Sequence, residues 1–301
     1  MGGRVANQDL GRITGTTRAV AVVGYPVSHS LSPLIHNAAF AAAGLDYCYI
    51  ALNVKAEEIE VAFKGLKAAG FAGFNLTAPH KESVIPLLDD LTEEARAIGA
   101  VNTVANRDGR WIGTNTDATG FRRLLEINGL HRQGMKAVVL GAGGAARAAL
   151  YVLGRLSREV VVFNRTLPRA QALIESLAAS RGSGRWAAFL LEGGELATHL
   201  RDADLLVNTT NVGMHPNDRD CPLPEGVTIP PGCGVVDMVY APPRTRLLEV
   251  AERAGARAVS GHDMLLHQAV DAFTFWTGVE PDISVMDRAL RDGRRRQMEQ
   301  G

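Results

Sequence analysis

Gly141, Gly143 and Gly144 follow the apolar run Ala137 to Leu140 and lead into an Ala- and Leu-rich segment. Ala146 stands where a strand–Gly-rich turn–helix motif of the G-x-G-x-x-G/A type has its third small residue. Without side chains at 141 and 143 an anion can reach the backbone, and N–H groups at a helix start point at it. The chemistry such a turn serves is pyrophosphate binding at the backbone of Gly141 and Gly143. A second apolar run, Glu159 to Phe163, ends where an adenosine ribose is read, roughly twenty residues after the turn. It closes on Asn164, Arg165 and Thr166, with Arg169 one helical turn further. A carboxylate there would accept ribose hydroxyls and repel a 2′-phosphate. Asn164 is neutral, and Arg165 and Arg169 suit planar phosphate recognition, so the residues predict NADP rather than NAD.

A different set of polar residues crowds the strand and loop ends of the first third of the chain. Ser30 and Ser32, two apart ahead of an expected helix, offer hydroxyls to a carboxylate; Ser32 alone also reads as a helix cap, with Pro33 in the first turn. Asn75, Thr77, His80 and Lys81 share one turn at a strand's C-terminal end, where open α/β sheets place ligands. Asn102, Thr103, Asn115, Thr116 and Asp117 follow. Such a set suits a small polyhydroxylated ligand, because each hydroxyl needs a partner once water is excluded. Taken alone, Lys81 reads as a surface lysine and His80 as a residue satisfied by local backbone.

Alternating strands and helices must hold these groups, which predicts an α/β fold. Strands are expected at 19–23, 47–54, 72–76, 100–105, 111–117, 137–140, 159–163, 203–208, 234–238 and 256–259. Helices are expected at 34–43, 56–69, 92–98, 263–277 and 280–290, after Gly144, and from Pro242 and Pro243 to Ala254. Met264, Leu265, Ala269 and Phe273 form a helical core stripe, and Gln268 lies off its centre. At 301 residues, two domains are expected. The formal net charge of zero gives no electrostatic reason to expect nucleic acid or an anionic membrane as partner. Cys48, Cys221 and Cys233 are too scattered for a disulfide framework or a zinc site, which fits a reducing cytoplasm. No secretory signal or membrane span is expected. Residues 1–18 read as a disordered tail, and 291–301 as a polar tail whose Arg291 and Arg294 to Arg296 are solvated.

In combination, GYPVSHSLSPLIHN (24–37), GFNLTAPHK (73–81), GAVNT (99–103), NTDATG (115–120), GAGGAARA (141–148), NRTLPRA (164–170), DMVYAPPRTRLL (237–248) and GHDMLLHQAVDAF (261–273) resemble the shikimate dehydrogenase family. The resemblance covers about residues 19 to 285. It implies an N-terminal α/β substrate domain (19–118 with 263–290), a Rossmann-type NADP-binding domain (119–262), C-terminal helices returning to the first domain, and an active site in the cleft between the domains. It implies that Ser30 and Ser32 bind a substrate carboxylate, that Thr77, Asn102, Asp117 and Gln268 meet ring hydroxyls, and that Tyr240 helps close the pocket. Lys81 matches the catalytic lysine, with Asp117 as its partner. Gly141 to Ala145 match the pyrophosphate turn, Asn164 to Arg169 the adenosine phosphate end, Met238 and Gly261 the nicotinamide surroundings, and Glu93 a position that nears the cofactor in some members. His262 replaces the apolar residue usual after that glycine.

The activity implied is NADP-dependent reduction of 3-dehydroshikimate to shikimate, in aromatic amino-acid precursor biosynthesis. As hydride adds to the ketone carbon, its oxygen gains alkoxide charge, which a nearby ammonium stabilises and protonates. No metal is required. The competing readings are a quinate/shikimate dehydrogenase of the same fold, in which the second serine is often Thr, an aminoshikimate-pathway enzyme, and a non-catalytic NADP-sensing regulator, which can discard the Lys81 and Asp117 motifs. The chain is expected to be a monomer or a homodimer with a small-molecule partner.

Overall fold

The computed structural model describes residues 13–180, 182–215 and 217–300. The chain runs through β1 (Arg18–Gly24), α1 (Ser32–Ala42), β2 (Tyr47–Asn53), α2 (Ile59–Ala68), β3 (Gly73–Leu76), β4 (Asp90–Leu91), α3 (Glu93–Ile98), β5 (Thr103–Arg107) and β6 (Arg110–Thr114). It continues through α4 (Asp117–Ile127), β7 (Met135–Leu140), α5 (Gly144–Leu153), β8 (Ser157–Asn164), α6 (Leu167–Ser176), β9 (Arg185–Leu190) and α7 (Gly193–Leu200). It ends with β10 (Leu205–Asn208), β11 (Gly234–Asp237), α8 (Arg246–Arg253), β12 (Arg257–Ser260), α9 (His262–Thr277) and α10 (Ile283–Gln300). The fold is α/β, and contacts gather the chain into two compact units.

One unit holds residues up to Asp90, Thr103–Gly113 and everything from Ala269 on. Its sheet runs β2-β1-β3-β5-β6-β4, with β1 parallel to β2 and β3, and β3 antiparallel to β5. Val20 to Val23, Phe74 and Val104 are buried because β1, β3 and β5 are interior strands that bury their apolar side chains. An aromatic group fills the space beside them: Phe63, Phe74 and Trp111 meet edge to face, and Phe40 stacks on Tyr47 and Phe273. Gly73 is needed where it stands. A Cβ there would run into the Val104 carbonyl and lie 2.6 Å from the Trp276 ring.

The other unit comprises Leu91–Asn102 and Thr114–Gln268. Its six strands, in the order β12-β11-β10-β7-β8-β9, are all parallel. Read from the far edge, that is the doubly wound order 3-2-1-4-5-6 of dinucleotide-binding folds. Valines of β7, β8, β10 and β11 are wholly buried, as strands covered on both faces must be. Arg147 on α5 donates to Ser176 Oγ at 2.8 Å and to the Ile98 carbonyl, which ties α3 to this sheet's helices.

Several expectations from sequence change here. Ser32 is not the cap of α1: the capping position is Leu31, and Ser30 Oγ accepts the Ser32 N–H instead. Pro242 and Pro243 do not open α8, which starts behind Thr245, whose hydroxyl accepts the Leu248 N–H. Strand β5 begins at Thr103 rather than at Ala100, because Asn102 leaves the ladder to bond across to residue 116. In α9 the buried side is Leu266, Ala269, Ala272, Phe273 and Trp276 with Met264; Leu265 is only half-buried. Residues 291–300 are helix rather than tail, and Arg294 is buried against expectation. Of the N-terminal tail, 1–12 lie outside the described residues; Thr16 and Thr17 donate to Asp46 at 2.8 and 2.6 Å, and Arg18 already belongs to β1. Among the described residues, no helix is long and apolar enough to cross a membrane.

Candidate functional site

Strand β7 and strand β10 are neighbours whose following connections leave in opposite directions, the place where open parallel sheets bind ligands. The turn after β7 carries Gly141, in the left-handed region at φ +107°, followed by Gly143 as the cap of α5. A Cβ on Gly141 would sit 2.6 Å from Thr209 Oγ1 and 2.9 Å from Thr210 Cγ2, so only glycine lets the two turns meet. Thr209 Oγ1 donates back to the Leu140 carbonyl at 2.7 Å and locks the pair. Around Gly143 the space is open: the nearest atom that a Cβ there would meet is Arg169 Nη2, 4.0 Å away. Arg169 Nε donates to the Ala142 carbonyl at 2.9 Å. A guanidinium thus stands fixed at the mouth of a helix N-terminus, and the two together suit a dinucleotide with an extra phosphate. Ala142 is buried, whereas Gly144 and Ala145 are half-buried in the first turn of α5.

Asn164 ends β8 and donates to the Thr166 carbonyl at 2.9 Å, which curls the chain into α6. Arg165, Thr166 and the outer part of Arg169 are exposed. Glu93, at the start of α3, is also exposed.

A buried polar network, unforeseen from sequence, fixes the ends of β10 and β11. Asp237 accepts from Asn208 Nδ2 at 2.9 Å, from the Val239 N–H at 3.0 Å and from the Thr245 hydroxyl at 2.5 Å. Burial raises the Asp237 carboxyl above the usual carboxylate range, although these donors pull it down. Asn208 Oδ1 meanwhile accepts from the N–H and hydroxyl of Thr210. Met238, half-buried, follows Asp237, and its N–H donates to the Asn208 carbonyl at 3.0 Å. A Cβ on Gly261 would lie 2.6 Å from the Met238 carbonyl, so only a residue without a side chain lets the end of β12 pass this close to the end of β11. The signal in the sequence was an Asn and an Asp, each closing a short apolar strand.

In the same unit Asn102 and Asp117 meet. Asn102 Nδ2 donates to Asp117 Oδ1 at 2.8 Å and to Thr116 Oγ1 at 2.9 Å, while its Oδ1 accepts the Thr116 N–H. Asn115 accepts the N–H of Asp117 and donates to the Ala100 carbonyl, so both ends of this turn are pinned. Asp117 is 5% exposed and opens α4. Gly120, one turn on, allows α9 to pack closely: its Cβ would lie 2.6 Å from the Met264 carbonyl and 3.1 Å from Gln268 Cβ. Gln268 therefore sits against α4, with its Nε2 donating to the Leu265 carbonyl. Tyr240 is half-buried in the segment after Met238.

The remaining candidates belong to the first unit. Thr77 and Lys81, both half-buried, flank the turn after β3. The Thr77 N–H donates to the Val23 carbonyl and its carbonyl accepts the His80 N–H. A Cβ on Gly24 would collide with the Thr77 methyl, so Gly24 gives that residue its place. His80 is fully buried with Nε2 2.8 Å from the Val54 carbonyl, where it anchors the turn below Lys81. Beneath Thr77 the Tyr49 hydroxyl donates to Asn75 Oδ1 at 2.7 Å, and Asn75 Nδ2 donates to Thr103 Oγ1 at 2.9 Å across the β3–β5 pair. Ser30 and Ser32, half-buried, are joined by the Ser32 N–H to Ser30 Oγ bond at 3.3 Å.

Comparison with known proteins adds to this geometry. Residues 22–104 match the model of the shikimate dehydrogenase substrate binding domain, and residues 261–291 that of the shikimate 5'-dehydrogenase C-terminal domain. A shikimate dehydrogenase (NADP(+)) of Moorella thermoacetica is 46% identical over 284 residues, 93% of this chain and 95% of that protein. A crystal structure of a shikimate dehydrogenase with NADP+ superposes with a TM-score of 0.84 at 36% identity, covering 93% of this chain and 97% of the other. That of the Thermus thermophilus shikimate 5-dehydrogenase with NADP(H) and shikimate gives 0.80 at 40% identity, covering 92% and 100%.

Proposed function

The chain belongs to the shikimate dehydrogenase family, and from that premise we propose how its own residues divide the reduction of 3-dehydroshikimate to shikimate among them. It is an NADP-dependent oxidoreductase acting on a CH–OH group. The observation that carries the cofactor side is Arg169, hydrogen-bonded to the Gly-rich turn at the switch point of the parallel sheet. Gly141 to Ala145 hold the pyrophosphate on the N–H groups of α5, and Asn164, Arg165, Thr166 and Arg169 hold the 2′-phosphate end. Met238 and Gly261 line the nicotinamide, and Glu93 approaches the cofactor. Bound NADPH supplies the hydride.

On the substrate side, Ser30 and Ser32 bind the carboxylate. Thr77, Asn102, Asp117 and Gln268 pair with ring hydroxyls, and Tyr240 closes over the ring. Lys81 Nζ donates a proton to the oxygen that gains charge as the ketone is reduced, and Asp117 orients the ammonium. The Asn102 bond to Asp117 supports this division, because it holds one carboxylate oxygen of Asp117 and so sets the direction of the other. Residues 19–118 with 263–290 act as the substrate domain and 119–262 as the NADP domain. The enzyme works in the cytoplasm on a small-molecule substrate, as a monomer or homodimer.

Initial rates with shikimate and quinate, each with NADP+ and NAD+, test the reading. Shikimate with NADP+ is expected to give the highest kcat/KM. A higher value for quinate with NAD+ would turn the assignment to the quinate branch, and absence of turnover with every pair would leave only a nucleotide-binding protein.

A further inference from the structure

We infer that the last turns of α10 are part of the substrate site, with Gln297 as a positioning residue for the loop that presents Ser30 and Ser32. The inference rests on the assignment of those serines to the substrate carboxylate. From sequence this stretch is a solvated basic tail to which no part of the reaction falls. In the structure it is an ordered helix laid along α1. Gly293 makes the approach possible: a Cβ on it would lie 2.8 Å from Leu34 Cδ1 and 3.0 Å from Leu31 Cδ2. Arg294, 8% exposed, is buried at the same place.

One turn further along, Gln297 Nε2 donates to the His29 carbonyl at 2.9 Å. That carbonyl belongs to the peptide unit whose nitrogen is Ser30 N. The loop is gripped elsewhere at its base, where the Val27 N–H donates to Asn53 Oδ1 at 3.2 Å and the Ser30 N–H to the Val27 carbonyl at 3.0 Å. Gln297 holds the opposite side of the same peptide. With both its N–H and its carbonyl engaged, the His29–Ser30 peptide has one orientation, which fixes the Cα–Cβ direction of Ser30. Ser30 Oγ then also accepts the Ser32 N–H, so the two serines are set as a pair. Released from Gln297, the peptide gains alternative orientations that must be given up whenever the carboxylate binds. The loss therefore falls on substrate affinity and leaves the cofactor alone.

Gln297→Met keeps side-chain length and removes the donor; Gln297→Lys restores a donor at similar reach. In the full-length enzyme, Gln297→Met is expected to raise KM for shikimate about fivefold, the size of one lost hydrogen bond, with kcat and KM for NADP+ unchanged. Gln297→Lys is expected to recover most of that loss. Ser32→Ala, measured in parallel, separates the inference from its premise. If Ser32→Ala raises KM for shikimate and Gln297→Met does not, the positioning role is overturned. If neither does, the carboxylate assignment itself has failed. A lowered Tm in Gln297→Met with both KM values unaltered would also overturn it, since that is what packing alone predicts.

Discussion

At the scale of single residues, the two side chains to which we assign the proton transfer stand on turns held by their neighbours. Lys81 stands on a turn anchored by the buried His80, and Asp117 stands on a turn pinned by Asn102 and Asn115. Lys81→Ala is expected to lower kcat by about 10²-fold or more, the reach of acid–base catalysis, with NADP binding intact by fluorescence titration. Near-normal turnover would remove Lys81 from the reaction. His36 offers a test of stability. Burial holds its imidazole at a pKa of about 3, down from 6.5, where it stacks on Tyr49 at 4.6 Å and its ring nitrogens find no hydrogen-bond partner among the described residues. The unfolded chain takes up that proton near pH 6.5 and the folded chain only near 3. Its contribution is therefore full above pH 6.5 and is lost as pH falls towards 3, with a limiting slope of about 1.4 kcal/mol per pH unit. In urea titrations, His36→Phe is expected to flatten that slope between pH 6 and 4 relative to the parent, a window inside the two values. An unchanged slope would place the acid sensitivity in other groups. His36 was not singled out from sequence, because a lone histidine in a helix gives no sign of the aromatic box around it.

At the scale of elements, most strands and helices were legible because their apolar runs are bounded by Gly, Pro, Ser or Asn. What the pattern could not yield is the chemistry that joins one element to the next. Asn208, Asp237 and Thr245 lie at three separated places in the chain and become a unit only when β10 and β11 pair. Thr245→Val is expected to cost about 1–3 kcal/mol in chemical denaturation, because it removes one donor from a buried carboxylate; a loss within error would mean that the site relaxes around the gap. In sequence Gly141 and Gly143 offer room for an anion, and what only the structure adds is that Gly141 must also clear Thr209 and Thr210. Gly141→Ala combines a left-handed backbone with that collision. It is expected to raise KM for NADP+ tenfold or more, on the order of 1.4 kcal/mol, while KM for shikimate moves little; equal changes in both would point to global damage. The end of α10 departs from its sequence pattern for an equally physical reason. Four arginines in a short stretch look solvated, and the small residue that lets the helix lie down, Gly293, reads as a helix breaker in one dimension.

At the scale of the whole molecule, the composition and the motif order sufficed for the α/β class, the Rossmann-type sheet and the cofactor. Leu91–Asn102 gathers with the parallel sheet, where Arg147 donates to the Ile98 carbonyl, a long-range bond no local pattern announces. Balanced charge predicts a bulk property. With 32 basic and 32 acidic residues, solubility at low salt is expected to pass through a minimum near neutral pH and to rise on either side, as light scattering across a pH series would show. A monotonic trend would mean that charge distribution outweighs net charge. The interleaving of the two units bears on how the molecule is born. The parallel sheet and its helices lie within residues 91–268, whereas the other unit draws on both the opening and the closing stretches of the chain. On a ribosome adding about 5–20 residues each second, the nucleotide-binding half is free to mature while its companion waits, with its first strands already exposed, for the residues from Ala269 on, the end of α9 and all of α10, to emerge. A nascent chain stalled shortly before that point should hold the dinucleotide yet present an unfinished apolar surface to chaperones.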